Sequence, residues 1–195
     1  MKKPNIFNLN TKELALISIF SAVWVMSQLY LGTYIGQITT VRGIAQRVIG
    51  WFLMLILAEL VGKFGRVSIM ATIAALVTRT LRRSAALYIW SVGLGYALGG
   101  FVFDILFFLP FGKRLQGTTR KIYLVSISIV SGLSVLIPYL FLNMYLLSFE
   151  AFLIWIITKF IFSTAKGTTL SVLGTTLGLS SLSRIKPWTE KIRQK

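Results

Sequence analysis

The chain has 195 residues, of which 55% are hydrophobic and 13% are charged, and its mean hydropathy is +0.77. These values exclude an ordinary water-soluble domain and predict a polytopic membrane protein. The formal net charge of +16 would indicate a nucleic-acid partner in a soluble protein, but in a membrane protein it reports on topology, so we expect no nucleic acid among the partners. The chain contains no Cys and no His, which excludes thiolate chemistry, imidazole bases and the usual zinc or haem ligands.

Apolar runs separated by charged clusters predict an all-α integral membrane protein with six transmembrane helices in a single domain. We expect the first run to be a retained span and not a signal peptide, because no small-residue cleavage site follows it. Two glycines and two cations between the second and third spans predict a tight helical hairpin, and Pro110 predicts the end of the fourth span. The predicted spans are 14–32, 48–63, 67–82, 85–111, 122–146 and 150–183. A basic cytoplasmic tail at 184–195 follows the last span.

The cations divide unevenly between the two sides of these spans, which predicts the orientation because cytoplasmic loops are enriched in Lys and Arg. The side with fewer cations carries Arg42, Arg47, Arg79, Arg82 and Arg83. The other side carries Lys2, Lys3, Lys12, Lys63, Arg66, Lys113, Arg114, Arg120, Lys121, Arg184, Lys186, Lys191, Arg193 and Lys195. We therefore expect both termini in the cytoplasm and a multi-pass protein of the cell membrane.

Acidic side chains are scarce, and the sequence contains no motif for ATP hydrolysis. The acidic residues are Glu13, Glu59, Asp104, Glu150 and Glu190. A hydrolase with paired carboxylates, or a metal site with several oxygen ligands, has few residues available here. No G-x-x-x-x-G-K-[ST] string occurs, so a P-loop is excluded. We expect a protein that is not an enzyme, that holds no metal or cofactor, and that depends on partner subunits for any ATP hydrolysis.

Ionisable residues within the predicted spans are candidate site residues, because each costs about 3 kcal/mol at the bilayer centre unless it finds a partner or water. Lys159 and Lys166 are seven residues apart and so share one helical face. Either both contact a substrate in a cavity, or Lys159 reaches the headgroups and Lys166 pairs with a carboxylate such as Asp104. Asp104 is correspondingly a ligand group or a lysine partner. Glu59 precedes Lys63 by four residues, and a helical ion pair between them explains it.

Aromatic residues are concentrated on the predicted outer side, beyond what an interfacial belt explains, since such belts occur at both faces. Stacking walls around a flat organic ligand account for the excess, and the segment 33–47 is long enough to fold over such a ligand. The predicted substrate-binding residues are Tyr34, Arg42, Trp51, Trp90, Tyr96, Asp104, Tyr139, Trp155, Lys159 and Lys166.

Small residues recur at helical spacing, which lets membrane helices approach closely. Packing within one bundle explains most of these pairs, such as Gly95 with Gly99. Ala15, Ser18 and Ala22 differ because they form a smooth stripe on the first helix. That stripe is a predicted interface for the helix of a partner.

This layout resembles the substrate-binding S components of energy-coupling factor (ECF) vitamin transporters. Members of that family have about this length, six helices with cytoplasmic termini, a basic composition and an A-x-x-x-A motif in the first helix, whose counterpart here is Ser18-Ile19-Phe20-Ser21-Ala22. The resemblance implies an S-component-like bundle that binds a small water-soluble vitamin or precursor in its outer half. It also implies that Ser18 and Ala22 contact a membrane-embedded T component, which carries two ATPase subunits.

The sequence gives two indications about the charge of the ligand, and they differ. The stretches 51–68 and 93–104 are most similar to the thiamine or hydroxymethylpyrimidine class of that family, and thiamine is a cation. The outer cations instead favour an anion, such as a carboxylate-bearing vitamin or a phosphorylated precursor. Two other functions are alternatives: a non-transporting scaffold or assembly subunit, and a lipid-modifying membrane enzyme with Asp104, Glu59 and Lys166 as its reagents.

Overall fold

The computed structural model describes residues 9–38, 43–82, 87–110, 112 and 115–193, and the regular elements within these ranges are all helical. The helices are α1 Thr11–Met26, α2 Gly32–Ile38, α3 Ile44–Val61, α4 Arg66–Leu81, α5 Leu87–Phe108, α6 Gly117–Ser134, α7 Ile137–Leu146, α8 Phe149–Trp155 and α9 Ile161–Arg193. Two π-helical stretches, Ser27–Leu31 and Ile156–Phe160, join α1 to α2 and α8 to α9. The prediction of an all-α fold is confirmed.

Among the described residues, four stretches are long and apolar enough to cross a membrane, and this is the character of a membrane protein. They are Thr11–Ile35, Ile44–Val61, Leu87–Phe108 and Gly117–Leu146, and they coincide with the first, second, fourth and fifth predicted spans. The third predicted span corresponds to α4, which has 16 residues. At about 1.5 Å per residue it is shorter than the roughly 30 Å hydrocarbon core. The six-span count and the side on which the termini lie stay predictions.

The long helices pack in a closed ring. Helix α1 contacts α4, which contacts α5, then α6, then α9, then α3, and α3 returns to α1. Helix α3 also contacts α4 and α5 and is therefore the central helix of the bundle. Its middle part is buried at Trp51 and from Leu53 to Ala58. This burial explains why α3 is apolar on all sides and not along one stripe.

Small residues set the closest approaches between these helices. A Cβ atom on Gly95 would collide with the backbone of Val135, and one on Gly174 would collide with the carbonyl group of Val48. Gly100 faces Ala71 in the same way. These contacts bring backbones together and supply dispersion contacts where lipid removes the hydrophobic driving force.

The stripe on α1 has a different position. Ala15, Ser18 and Ala22 are all exposed, whereas Ile17 and Trp24 on the same helix are buried against the bundle. The three small residues therefore lie on the side of α1 that faces away from the other helices.

The hairpin between α3 and α4 contains the predicted tight turn. Gly62 and Gly65 adopt left-handed conformations, with φ of 63° and 89°. Such conformations favour glycine, and they end α3 and begin α4 without the clash that a Cβ would cause. The N–H group of Gly62 donates to the carbonyl of Ala58 at 3.0 Å, which closes the last turn of α3.

The ion pairs at this turn differ from the prediction that Glu59 pairs with Lys63. Glu59 instead pairs with Arg120 of α6, and Lys63 pairs with Glu13 of α1. Neighbouring helices place opposite charges closer than the next turn of the same helix does. The pairing therefore depends on tertiary packing, which the local spacing does not contain.

The fifth and sixth predicted spans both contain interruptions. Helix α6 ends at Ser134, and α7 begins at Ile137 with Pro138 in its first turn. Proline lacks the N–H group that would continue the α6 hydrogen-bond ladder, so the chain restarts as a new helix. In the last span a π-helical stretch precedes α9, which continues to Arg193 through the predicted basic tail.

Candidate functional site

A cavity of about 430 Å³ lies at the end of the bundle where α3 and α9 begin and α4 ends. We call this end the cavity end. Helices α3, α4, α5, α7 and α9 form its walls, and its volume is in the range of small-molecule sites. The polar side chains that line it are Gln46, Arg47, Arg79, Arg82, Tyr88, Tyr96, Tyr139, Ser163 and Lys166.

The lining is strongly cationic. It includes Arg47, Arg79, Arg82 and Lys166, and no acidic side chain lines the cavity in the described ranges. Arg79 is only 3% exposed, and its Nε and Nη2 atoms, like Nη1 of Arg47, are buried without a hydrogen-bond acceptor among the described residues. A buried guanidinium group without a counter-charge costs several kcal/mol. The cavity therefore has a strong electrostatic preference for an anion.

Two glycines position these guanidinium groups. The Arg79 side chain lies on Gly93 of α5, where a Cβ atom would be 3.0 Å from its Cγ and 3.1 Å from its Nε. The Arg47 guanidinium occupies the space that a Cβ atom on Gly167 of α9 would need. Each arginine therefore lies flat against a helix that has no side chain at the point of contact.

Tyr96 forms the floor of the cavity and rests on two buried tryptophans. Its ring makes edge contacts with Trp24 and Trp51, at centroid distances of 5.9 and 6.3 Å. Trp51 donates its indole N–H to the hydroxyl of Ser131 at 2.8 Å, and Trp24 donates to the carbonyl of Gln46 at 3.0 Å. Because both indole groups are hydrogen-bonded, the rings are held in one orientation and the floor is rigid.

Two further tyrosines form a side wall. The rings of Tyr88 and Tyr139 are 6.0 Å apart. Trp155 packs edge-on against Tyr139 at 5.4 Å and is not among the lining residues. The wall can therefore stack against a flat ring, and Trp155 supports it through this contact.

The predicted site residues fall into three groups. Tyr96, Tyr139 and Lys166 line the cavity. Trp51 lies beneath the floor and Trp155 against the side wall, so both support the cavity without lining it. The other predicted residues within the described ranges do not line the cavity.

Tyr34, Trp90 and Lys159 are not among the residues that line the cavity. Tyr34 is exposed and belongs to a separate shallow surface pocket beside Tyr30. Lys159 is exposed within the π-helical stretch Ile156–Phe160, whose wider turn changes the angular spacing that the seven-residue interval to Lys166 assumes. Arg42 lies outside the described residues.

Asp104 lies at the opposite end of the bundle, so the prediction that it contacts the ligand or pairs with a lysine is corrected. The side chain is fully buried. Its Oδ2 atom accepts hydrogen bonds from the backbone N–H of Ser68 at 3.0 Å and from the Ser68 hydroxyl at 2.8 Å. Ser68 lies in the first turn of α4, where N–H groups lack helical acceptors. Asp104 therefore caps α4 across a helix interface.

Several residues of the cavity were not among the predicted site residues. Arg47, Arg79, Arg82 and Tyr88 line it, whereas the sequence placed the three arginines on the cation-poor side and in an outer field that favours an anion, without naming them as binding residues. One feature of the sequence could have identified these arginines. They lie at the ends of apolar runs on the predicted outer side, where the enrichment of Lys and Arg in cytoplasmic loops does not explain them. Spacing alone could not bring them together, because they come from different helices.

A second cavity, of about 470 Å³, lies at the opposite end and is lined by Glu59, Arg120 and Lys121 among others. Here the arginine is paired with the carboxylate of Glu59. The second cavity thus contains a compensated ion pair, whereas the first contains buried guanidinium groups without one. The first cavity is for this reason the candidate site.

Comparisons of the chain with protein-family models, with curated proteins and with solved structures found no match.

Proposed function

We propose that the chain is the substrate-binding subunit of a membrane importer and that it binds a small anionic molecule with a flat ring. The observation that carries this proposal is the cationic cavity, in which Arg47, Arg79, Arg82 and Lys166 are lining residues and no acidic residue is, within the described chain. Charged groups attract the anionic end of the ligand. The rings of Tyr88 and Tyr139 are available to stack on its flat part.

The resemblance to ECF S components supports the transport role. In that role the chain provides the binding site, and a T component with two ATPase subunits provides the energy. The exposed stripe of Ala15, Ser18 and Ala22 on α1 is the proposed contact surface for the T component, since small residues allow close helix approach. The proposed location is the cell membrane, with cytoplasmic termini and an outward-facing cavity.

The same cavity favours an anionic vitamin or vitamin precursor over a cationic one such as thiamine. A cationic ligand requires a carboxylate that faces it. Asp104 is occupied in capping α4 at the opposite end, and Glu150 is an exposed residue at the start of α8. Neither lines the cavity.

Calorimetry on the detergent-purified chain with a panel of water-soluble vitamins and precursors tests this proposal. We expect an anionic member of the panel to bind with submicromolar affinity, and Lys166→Ala to weaken its binding at least tenfold, or about 1.4 kcal/mol. Arg184→Ala is the control, because Arg184 is exposed on the same helix and does not line the cavity.

Two results would contradict the proposal. A panel in which no member binds would favour the scaffold function. A panel in which cationic members bind most tightly would mean that the positive charges of the cavity do not determine which ligand binds.

A further inference from the structure

We infer that the ligand of this cavity carries a phosphate monoester, and therefore nearly two negative charges on one tetrahedral group, in place of a single carboxylate. The inference rests on the proposed function, because it refines the class of anion bound at the same site. Three features of the cavity support it: the cations lie close together, some of their hydrogen-bond donors have no acceptor among the described residues, and the Arg79 side chain is buried.

The four cations form two like-charged pairs. The Arg47 guanidinium lies against Gly167, the residue that follows Lys166 on α9, and Arg79 and Arg82 are three residues apart on one side of α4 at its end. Like charges at about 4 Å repel by roughly 1 kcal/mol in water and by more at a partly buried site. A monocarboxylate brings one negative charge to both pairs. A phosphate monoester brings about 1.5 to 2 and compensates both.

The donors without acceptors also fit a phosphate. The Nε and Nη2 atoms of Arg79 lie on one edge of its guanidinium group, and both are buried without an acceptor among the described residues. Such an edge binds two oxygen atoms of an anion in parallel. Both oxygens of a carboxylate would then face Arg79. A phosphate has three terminal oxygens, so one remains for the buried Nη1 donor of Arg47.

The Arg79 edge is a built feature of the site and not a surface charge. The side chain is 3% exposed, and it lies so close to Gly93 that a Cβ atom there would be only 3.0 to 3.1 Å from its Cγ and Nε atoms, which restricts where the edge points. An arginine held in this way loses little side-chain freedom when it binds an anion, which favours affinity.

A phosphate monoester can come from a water-soluble metabolite or from a lipid headgroup such as that of phosphatidic acid. The same donors would bind either. The cavity volume of about 430 Å³ can enclose a small phosphorylated ring, whereas the acyl chains of a lipid would lie along the apolar exterior. The two sources can be distinguished by adding the lipid to the binding measurement.

Titration calorimetry of the full purified chain with three probes that share a benzene ring separates charge from shape. At about pH 8 phenyl phosphate is a tetrahedral dianion, benzenesulfonate is a tetrahedral monoanion and benzoate is a planar monoanion. We expect phenyl phosphate to bind at least tenfold more tightly than the other two. Equal affinities for the three overturn the inference and leave the proposed anion binding intact. Absence of binding by any of them, together with an inactive vitamin panel, overturns both.

A pH series gives a second readout, because the second pKa of a phosphate monoester is about 6. The chain has no His. The titratable groups of the described lining are Arg47, Arg79, Arg82, Lys166, Tyr88, Tyr96 and Tyr139, and no group of these types has an ordinary pKa between about 5 and 8. From about pH 8 to about pH 5, phenyl phosphate should lose roughly tenfold in affinity and benzenesulfonate should lose none. Equal losses would assign the pH dependence to the protein and overturn the inference.

Variants locate the effect. Arg79→Gln should abolish the preference for phenyl phosphate over benzoate, and Gly93→Ala should reduce it by displacing the same side chain. Arg184→Gln should retain it. Retention of the full preference in both Arg79→Gln and Gly93→Ala overturns the inference, and the second variant keeps the test valid if the first does not fold.

The source is assigned with the chain in phosphatidylcholine nanodiscs, with and without phosphatidic acid. Weaker binding of phenyl phosphate in the presence of phosphatidic acid assigns the phosphate to a lipid. Unchanged binding assigns it to a water-soluble molecule. In both cases the shared chemistry is a phosphate monoester, and the absence of phenyl phosphate binding in nanodiscs that lack phosphatidic acid overturns the inference.

Discussion

The guanidinium group of Arg47 lies across Gly167, in the space that a larger residue at that position would occupy. Helix α9 thus contributes a cation to the cavity through Lys166 and, one residue later, a gap that receives a cation from α3. Because Gly167 carries no charge, a substitution there changes the geometry of the site without changing its net charge.

We expect Gly167→Ala to lower the affinity for phenyl phosphate about tenfold, or about 1.4 kcal/mol. The added methyl group displaces the end of a flexible side chain, and alanine favours a helix by about 1 kcal/mol, so the unfolding midpoint should change little. Calorimetry and thermal unfolding measure the two effects. The matched control is Gly178→Ala on the same helix, whose Cβ would meet Cδ2 of Leu55 at 3.0 Å. Equal losses of affinity in both variants would assign the effect to helix packing.

Arg79→Met should weaken the binding of phenyl phosphate and yet stabilise the ligand-free protein. Two buried donor atoms of Arg79 have no acceptor among the described residues, and replacing such a group by an apolar one should gain about 1 to 3 kcal/mol. Thermal unfolding with and without phenyl phosphate checks both statements. Arg82→Met is the comparison, because Arg82 is exposed and donates to the carbonyl of Gln28 at 2.7 Å. A lower midpoint for Arg79→Met would show that its charge is compensated in the free protein.

Asp104→Asn should lower the unfolding midpoint and leave ligand affinity unchanged. The substitution removes the charge that accepts hydrogen bonds from Ser68 at the start of α4, which costs about 1 to 3 kcal/mol. Ser68→Ala should act in the same direction with a smaller effect. A variant with normal stability but weaker binding would indicate that Asp104 contacts the ligand and would contradict this structural role.

Glu13→Gln should destabilise the bundle strongly, by about 3 to 5 kcal/mol. Glu13 accepts a hydrogen bond from Nε of the buried Arg66 at 2.9 Å and also pairs with Lys63. Lys63→Ala should cost less than about 1 kcal/mol, because the Lys63 side chain is largely exposed. Thermal unfolding of the two variants compares their losses of stability. Similar losses would contradict the expectation that the buried Glu13–Arg66 pair contributes more stability than the exposed Glu13–Lys63 pair.

The orientation can be tested with single cysteines, since the chain has none of its own. Thr33→Cys and Thr118→Cys replace exposed residues near opposite ends of the bundle. An impermeant thiol reagent added to intact cells should label the first and not the second. Labelling of only the second would invert the predicted topology, and labelling of both would contradict a bundle that spans the membrane between them.

Much of the fold could be predicted from the sequence, because local chemistry determines it. Apolar runs indicated the helices, and Gly62 and Gly65 indicated the turn between α3 and α4. The break at 135–136 was missed even though Pro138 marks it, because the flanking residues are uniformly apolar.

The site was predicted less completely. Tyr96, Tyr139 and Lys166 line the cavity, and their role in binding stays a prediction that rests on the position of aromatic and charged residues in apolar runs. The role of Asp104 was wrong, because its partner Ser68 lies on another helix and no local spacing relates the two. Arg47 and Arg79 lie against Gly167 and Gly93. Because glycine has no side chain, neither position stands out among the polar and aromatic residues that indicate a binding site.

Native mass spectrometry of the gently purified chain and of Arg79→Gln tests whether this cavity binds an anion. The wild-type protein should carry a small anionic molecule, and the variant should have lost it. A cationic or neutral molecule in the wild-type protein, or an anion retained equally by the variant, would contradict the assignment of this cavity as an anion-binding site.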